Sequence, residues 1–241
     1  GGNYVDLTFG GGGHSREVLK KLGKNGRLLA FDQDQDAEAN VPDDRRVIFV
    51  GANFRYLRNY LRYHSMEQVD GILADLGISS HQIDRPDRGF SFKSDAVLDM
   101  RMDVRSGRTA AQLLNESPRE EMVRILKNYG ELGNASPIVS AILEARERAA
   151  IETAGDLEEV LKRFIPRHQS NKFLARVYQA LRIEVNREME ALGEMLVQTA
   201  DHLKPGGRLV LPLGQPYMHQ ELVVVTRDEQ GEIRTRDILG V

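Results

Sequence analysis

Four consecutive glycines, Gly10 to Gly13, follow the β-prone run Tyr4-Val5-Asp6-Leu7-Thr8-Phe9 and precede apolar residues at helical spacing, Val18, Leu19 and Leu22. Strand, glycine loop and helix in that order bring the backbone N–H groups of the loop and of the helix start close to any bound ligand. Ser15 reads as the helix N-cap and Gly23 as its terminator. An ordinary tight turn is the other reading, although a turn needs one such residue and four forfeit much backbone entropy. A dinucleotide fingerprint fits less well, because Ser15 stands where the third glycine or alanine of that pattern belongs.

The alternation continues. Residues 27–32, 46–50 and 69–75 read as further strands, and Tyr56, Leu57, Tyr60, Leu61 and His64 mark a helix before the last of them. This is the pattern of a parallel sheet covered by helices, an α/β fold. After Asp75 the rhythm stops, and residues 77–107 show no clean periodicity; a loop of that length in a compact domain is functional or disordered. Residues 109–167 are helical only, with starts predicted at Thr109, Ser117-Pro118, Ser136-Pro137 and Thr153. One long helix is predicted over 171–203, ending at Lys204-Pro205-Gly206-Gly207. A strand over 208–213 follows, then a hairpin of 221–226 and 233–238 around Asp228-Glu229-Gln230-Gly231. The chain therefore divides into 1–104 and 176–241, two parts of one α/β domain, and a helical insertion over 105–175.

Composition narrows the chemistry. The 241 residues contain no cysteine, which removes disulfides, thiolate metal sites and cysteine nucleophiles together. With 33 Lys+Arg against 36 Asp+Glu, net −3, any nucleic-acid surface must be local. Lys162, Arg163, Arg167, Lys172, Arg176, Arg182 and Arg187 against Glu184 form one such stretch, readable as a phosphate-binding stripe or as a solvated helix face. Arg88, Phe90, Phe92, Arg101 and Arg105 suit the grip of an unstacked base, with core packing of the two phenylalanines as the alternative. No ligand cluster argues for a metal. No apolar run reaches the roughly 18 residues of a membrane span and no signal pattern opens the chain, so a cytoplasmic protein with no membrane partner is expected.

Asp6, Asp32 and Asp75 stand at or near the C-terminal ends of three predicted strands, the sheet edge where ligands bind in open α/β folds. Asp32 lies 22 residues beyond Gly10, where a carboxylate can accept from both hydroxyls of a ribose.

Thr8-Phe9-Gly10-Gly11-Gly12-Gly13-His14-Ser15, residues 70–80 (DGILADLGISS), Arg88-Gly89-Phe90-Ser91-Phe92, Leu98-Asp99-Met100-Arg101-Met102-Asp103 and residues 179–186 (QALRIEVN) closely resemble the bacterial small-subunit (16S) ribosomal RNA cytosine-N4 methyltransferase family over about residues 4–210. The resemblance implies a class I, Rossmann-like methyltransferase fold, a doubly wound sheet with a helical insertion, here ending in a β-hairpin. It implies S-adenosyl-L-methionine (SAM) as cofactor, and small-subunit rRNA or the small ribosomal subunit as partner. By matching position the cofactor contacts fall on Gly12, Gly13 and His14, on Asp32 at the ribose, on Phe54 near the adenine, and on Asp75 and Gln82 at the methionine end. The insertion would carry RNA, with Arg163, Arg167 and Lys172 inside it and Arg88, Arg101, Arg176 and Arg182 beside it in sequence as candidate contacts.

The missing cysteine now bears on mechanism. Methylation at cytosine C5 needs a thiolate to activate C6, whereas the exocyclic N4 can attack the methyl group directly once oriented. Asp75 is the candidate acceptor for that amine, with Ser79 or Ser80 beside it. Residues 211–241 instead resemble the C-terminus of protein L-isoaspartate O-methyltransferases, so a chimeric chain is one expectation. O-methylation of protein carboxyls is the runner-up activity, and a SAM- or RNA-binding domain without turnover the third reading.

Overall fold

Short runs such as Leu28-Leu29-Ala30-Phe31 are apolar without alternation because both faces of the sheet they build are covered. In the computed structural model, which describes residues 1–92, 95–214 and 220–240, the first third forms β1 (Asn3–Asp6), α1 (Gly13–Lys21), β2 (Arg27–Phe31), β3 (Val47–Val50), α2 (Leu57–Tyr63) and β4 (Val69–Leu73). Six helices follow: α3 (Ser80–Asp84), α4 (Ala110–Glu116), α5 (Arg119–Asn128), α6 (Ala135–Arg146), α7 (Ala154–Leu161) and α8 (Ser170–Val185). The chain then continues through α9 (Glu188–His202), β5 (Leu203–Gly214), β6 (Gln220–Arg227) and β7 (Ile233–Gly240).

The seven strands form one sheet in the order β3-β2-β1-β4-β5-β6-β7. β1 to β5 are parallel, and β6 and β7 run antiparallel as the expected hairpin. The order reverses between β1 and β4, which makes their C-terminal ends the switch point at which an open α/β sheet leaves a crevice. Val5, Leu29, Phe31, Val69, Ile72 and Leu209 are buried along these strands, each contributing roughly 1.5–3 kcal/mol where a large side chain is fully covered.

The chain divides into two units, residues 1–77 with 190–241, and residues 78–189. The insertion is thus wider than the expected 105–175. Phe90, Leu98, Met100 and Met102 ahead of it, and Val177, Tyr178 and Leu181 behind it, are buried in the same cluster as α4 to α7. Within the segment predicted to be loop, Ser79 caps α3 by accepting from the Gln82 N–H while the Gln82 side chain accepts from the Ser79 N–H, a capping box written in the sequence as Ser-x-x-Gln. Thr109 and Thr153 cap α4 and α7 as predicted, whereas α6 starts one residue before Ser136.

Three local predictions are corrected. Ser15 is not an N-cap: α1 begins at Gly13 behind Gly12, whose φ of 73° is left-handed, and the Ser15 hydroxyl is buried on another partner. The single helix over 171–203 is two, broken at Arg187 with φ 50°. There the Asn186 side chain accepts from the Met102 N–H at 2.7 Å and donates to the Met100 carbonyl at 2.8 Å, tertiary bonds that outweigh continued helical periodicity. Finally, β5 starts at Leu203 rather than 208. Its pairing with β4 steps from Val69–Leu203 to Gly71–Arg208, so Lys204 to Gly207 form a bulge inside the strand rather than a stop before it.

Candidate functional site

In the first unit the residues following β1, β2 and β4 form one bonded assembly. Asp6, at the end of β1, accepts the Ser15 hydroxyl on Oδ2 at 2.7 Å and the Thr8 N–H on Oδ1 at 3.1 Å. Asp6 and Ser15 are 1% and 0% exposed, and burial pushes the Asp6 carboxyl above its ordinary pKa against those hydrogen bonds. Asp32, just beyond β2, accepts the Gly10 N–H on Oδ2 at 2.8 Å and the Asp34 N–H on Oδ1 at 2.9 Å; burial raises its pKa as well. The glycine loop is fastened from its other side. The Asn40 amide donates to the Gly10 carbonyl at 3.2 Å, and the Arg16 guanidinium donates to the carbonyls of Gly11, 2.7 Å, and Asn40, 2.9 Å.

This fastening leaves a surface open to a ligand. A methyl group built on Gly11 or Gly13 meets nothing within 4 Å, whereas one on Gly12 would run into the Phe9 ring at 2.8 Å. Phe9 packs edge-on against Phe49 with centroids 5.5 Å apart, so Gly12 lets the loop close over an aromatic floor while Gly11 and Gly13 face space. By helix geometry the N–H groups of the first turn of α1 have no intrahelical acceptor and are available to such a ligand.

Asp75 follows β4 with its side chain 57% exposed. Its N–H donates to Thr8 Oγ1 at 2.8 Å, and its Oδ2 lies 3.3 Å from His14 Nε2. Gly12, Gly13, His14, Asp32 and Asp75 are therefore brought together, on the two strand ends flanking the switch point and on the neighbouring β2. Phe54 opens a 3₁₀ turn capped by Asn53, and is half-buried against the cluster of Leu57 and Leu61.

In the second unit, Ser79 and Gln82 serve the α3 cap, Gln82 being 5% exposed, while Ser80 is exposed. The basic residues separate into two kinds. Arg88 is 7% exposed and donates to the carbonyls of Arg101 and Met102. Arg101 is held by Asp99 through two 2.8 Å bonds, Arg176 donates to the carbonyls of Gly130 and Glu131, and Arg182 is clasped by Glu188 at 2.8 and 3.1 Å. These four are engaged within the unit, and two of them, Arg176 and Arg182, belong to the stretch expected over 162–187. Arg163, Arg167 and Lys172 are exposed. Arg163 lies over the Phe164 ring, 3.8 Å from Glu144, and lines a groove of about 400 Å³ with Arg148, Glu159 and Lys162. Phe90 is buried, and Phe92 packs on Tyr178 with centroids 5.5 Å apart, so both phenylalanines belong to the core.

Sequence reasoning passed over Thr8, Arg16 and Asn40 and misplaced Ser15. The clue for Thr8 was its place between the strand-end carboxylate and the glycines; Arg16 and Asn40 carried none, since their partners are backbone carbonyls.

The model of the MraW methylase family matches residues 1–212. The chain belongs to the MraW methylase family. It is 56% identical over 210 residues to the ribosomal RNA small subunit methyltransferase H of Bacteroides thetaiotaomicron, covering 87% of this chain and 69% of that one. The protein of the same name in Parabacteroides distasonis is 56% identical over 211 residues, again 87% and 69% of the two chains. That of Flavobacterium johnsoniae is 52% identical over 207, or 86% and 68%. The sheet, its switch point and the glycine loop of this methylase accord with the class I fold expected of it. The family match ends two residues beyond the stretch assigned to it from sequence. Gln215 and Pro216, part of the isoaspartyl-like tail, lie outside the described residues. Among the described residues no helix is long and apolar enough to cross a membrane.

Proposed function

We propose that this methylase transfers a methyl group from SAM to the exocyclic N4 of a cytidine in small-subunit rRNA, acting in the cytoplasm on that RNA or on the small ribosomal subunit. The observation that carries the reading is the 56% identity over 210 and 211 residues to two relatives named for the methylation of that RNA. The assembly after β1, β2 and β4 fits the cofactor. Gly11 and Gly13 border space that side chains would fill, and each oxygen of Asp32, with one N–H bound, keeps a lone pair for a ribose hydroxyl. Gly12, Gly13 and His14 would hold the cofactor at the loop, Asp32 at the ribose, Phe54 at the adenine, and Asp75 and Gln82 at the methionine end.

Bound SAM supplies a sulfonium-activated methyl group, so the protein's task is positioning more than covalent chemistry. Asp75 accepts a hydrogen bond from the N4 amine, aims its lone pair and takes the surplus proton. Ser79 keeps its hydroxyl proton while its oxygen caps α3, and Ser80 has its whole hydroxyl available, so either can donate a second bond to the base. Arg163, Arg167 and Lys172 supply phosphate contacts that lend affinity without reading sequence. Arg88, Arg101, Arg176 and Arg182 shape the unit instead.

The test is transfer of labelled methyl from SAM to small subunits lacking the modification, followed by nucleoside analysis, with an isoaspartyl peptide as control. Label as N4-methylcytidine is expected. Label on the peptide alone, or on neither substrate while SAM still binds, would overturn the reading. Asp75→Ala is expected to bind SAM and lose most turnover; near-normal turnover would remove Asp75 from its role.

A further inference from the structure

Asp75 carries the chemistry proposed above, yet its side chain is more than half exposed and no buried neighbour holds it. A carboxylate in that position is placed by its own backbone. β4 ends at Leu73, and the Ala74 N–H makes the last sheet bond at this edge, to the Val210 carbonyl at 2.9 Å. The next amide, that of Asp75, leaves the sheet and donates to Thr8 Oγ1 at 2.8 Å.

Thr8 is itself immobilised on every side. The Leu7 N–H before it donates to the Leu73 carbonyl on β4, and the Phe9 N–H after it donates to the Phe31 carbonyl on β2, both at 2.9 Å. Its own N–H is taken by the buried Asp6, whose second oxygen holds Ser15 in the first turn of α1. The hydroxyl of Thr8 thus stands at a fixed point defined by β1, β2, β4 and α1 together, and Asp75 hangs from it.

We infer that Thr8 is a positioning residue for methyl transfer: its hydroxyl sets the backbone from which Asp75 reaches the N4 amine. The inference rests on the proposed role of Asp75. It has a signature that a structural role lacks. Valine matches threonine in shape and β-branching but offers no acceptor, and because the Asp75 amide is in an exposed setting, water can take up its N–H. Thr8→Val should therefore leave folding nearly untouched while loosening the carboxylate.

The experiment compares wild type, Thr8→Val, Thr8→Ser, Asp75→Ala and the Thr8→Val/Asp75→Ala double variant, in single-turnover methylation of small subunits at saturating SAM and by melting temperature. Thr8→Val is expected to slow transfer by about tenfold or more, the scale of a misplaced catalytic group, with its melting temperature within about 2 °C of wild type. Thr8→Ser should restore most of the rate, and the double variant should be no slower than Asp75→Ala. Wild-type rates in Thr8→Val with an impaired Asp75→Ala would overturn the inference alone, as would a Thr8→Ser as slow as Thr8→Val. A normal Asp75→Ala would overturn the role of Asp75 and this inference with it.

Discussion

Two glycines of the second unit share a left-handed backbone but not their surroundings: Gly89 has φ 70° and Gly107 φ 82°. At Gly107 a methyl group meets nothing within 4 Å, so alanine there costs only the left-handed strain, about 1–2 kcal/mol, less about 0.4–1 kcal/mol from the stiffer unfolded chain. At Gly89 the same methyl lies 2.3 Å from the Val97 carbonyl oxygen and 2.8 Å from the Asp99 nitrogen. Neither can move aside freely. The two are bonded to each other at 2.9 Å, and the segment is pinned by Leu98 N–H to the Glu152 carbonyl and by Met100 N–H to the Arg88 carbonyl. Overpacking against backbone adds about 1–3 kcal/mol, and one displaced hydrogen bond about 1 kcal/mol more. Gly89→Ala should thus lose about 3 kcal/mol, roughly 10 °C in melting temperature, and Gly107→Ala about 1 kcal/mol. Urea unfolding followed by far-ultraviolet circular dichroism, with hydrogen exchange at the Met100 amide as a local probe, measures both. Equal losses would show that the packing around Gly89 has been misjudged.

Gly13→Ala meets no protein atom and so should leave stability unchanged or slightly raised, while weakening SAM binding about tenfold or more in calorimetry; unchanged affinity would mean that the cofactor does not approach that face. Because burial raises the Asp6 pKa, the folded state holds that proton more tightly, so its contribution is full at low pH and fades as pH rises through the folded value. Asp6→Asn should therefore gain stability relative to wild type as pH rises above the ordinary carboxyl value of 3.8 in urea titrations, and a difference that does not vary with pH would contradict the assignment. Replacing Arg163, Arg167 and Lys172 together by glutamine should weaken RNA binding uniformly across sequences and flatten its salt dependence by roughly 2 in log–log slope. Replacing Arg176 and Arg182, which are engaged inside the unit, should instead lower stability.

The strands were legible because two-sided burial writes itself as runs of Leu, Val, Ile and Phe, and helices α4 and α7 because Thr109 and Thr153 cap them with their own side chains. What stayed hidden depended on partners far along the chain. Arg88 and Arg101 look alike in a basic, aromatic segment, yet one guanidinium lies inside the unit on carbonyls and the other lies beside Asp99. The break at Arg187 is set by Asn186 bonding residues more than 80 positions earlier, which no local pattern announces. At the candidate site the glycines and strand-end carboxylates could be named from spacing. The bonds that give them a geometry, from Thr8, Arg16 and Asn40, run to backbone atoms, and backbone atoms are the same in every sequence.

The second sheet partner of β4, β5, arrives late. From Leu73 to Leu203 about 130 residues intervene, which at a synthesis rate of about 5–20 residues per second is roughly 7–26 s. Over that interval β1 to β4 are complete while the edge of β4 has no strand beside it. Residues 78–189, an uninterrupted stretch, have meanwhile been synthesised whole. If they condense first, the loop that β5 must close shortens from a long flexible chain to the span between the ends of a folded body, and part of the closure entropy is already met. Birth order thus gives the inserted unit a second task, that of a clasp which brings the two halves of the sheet within reach of each other.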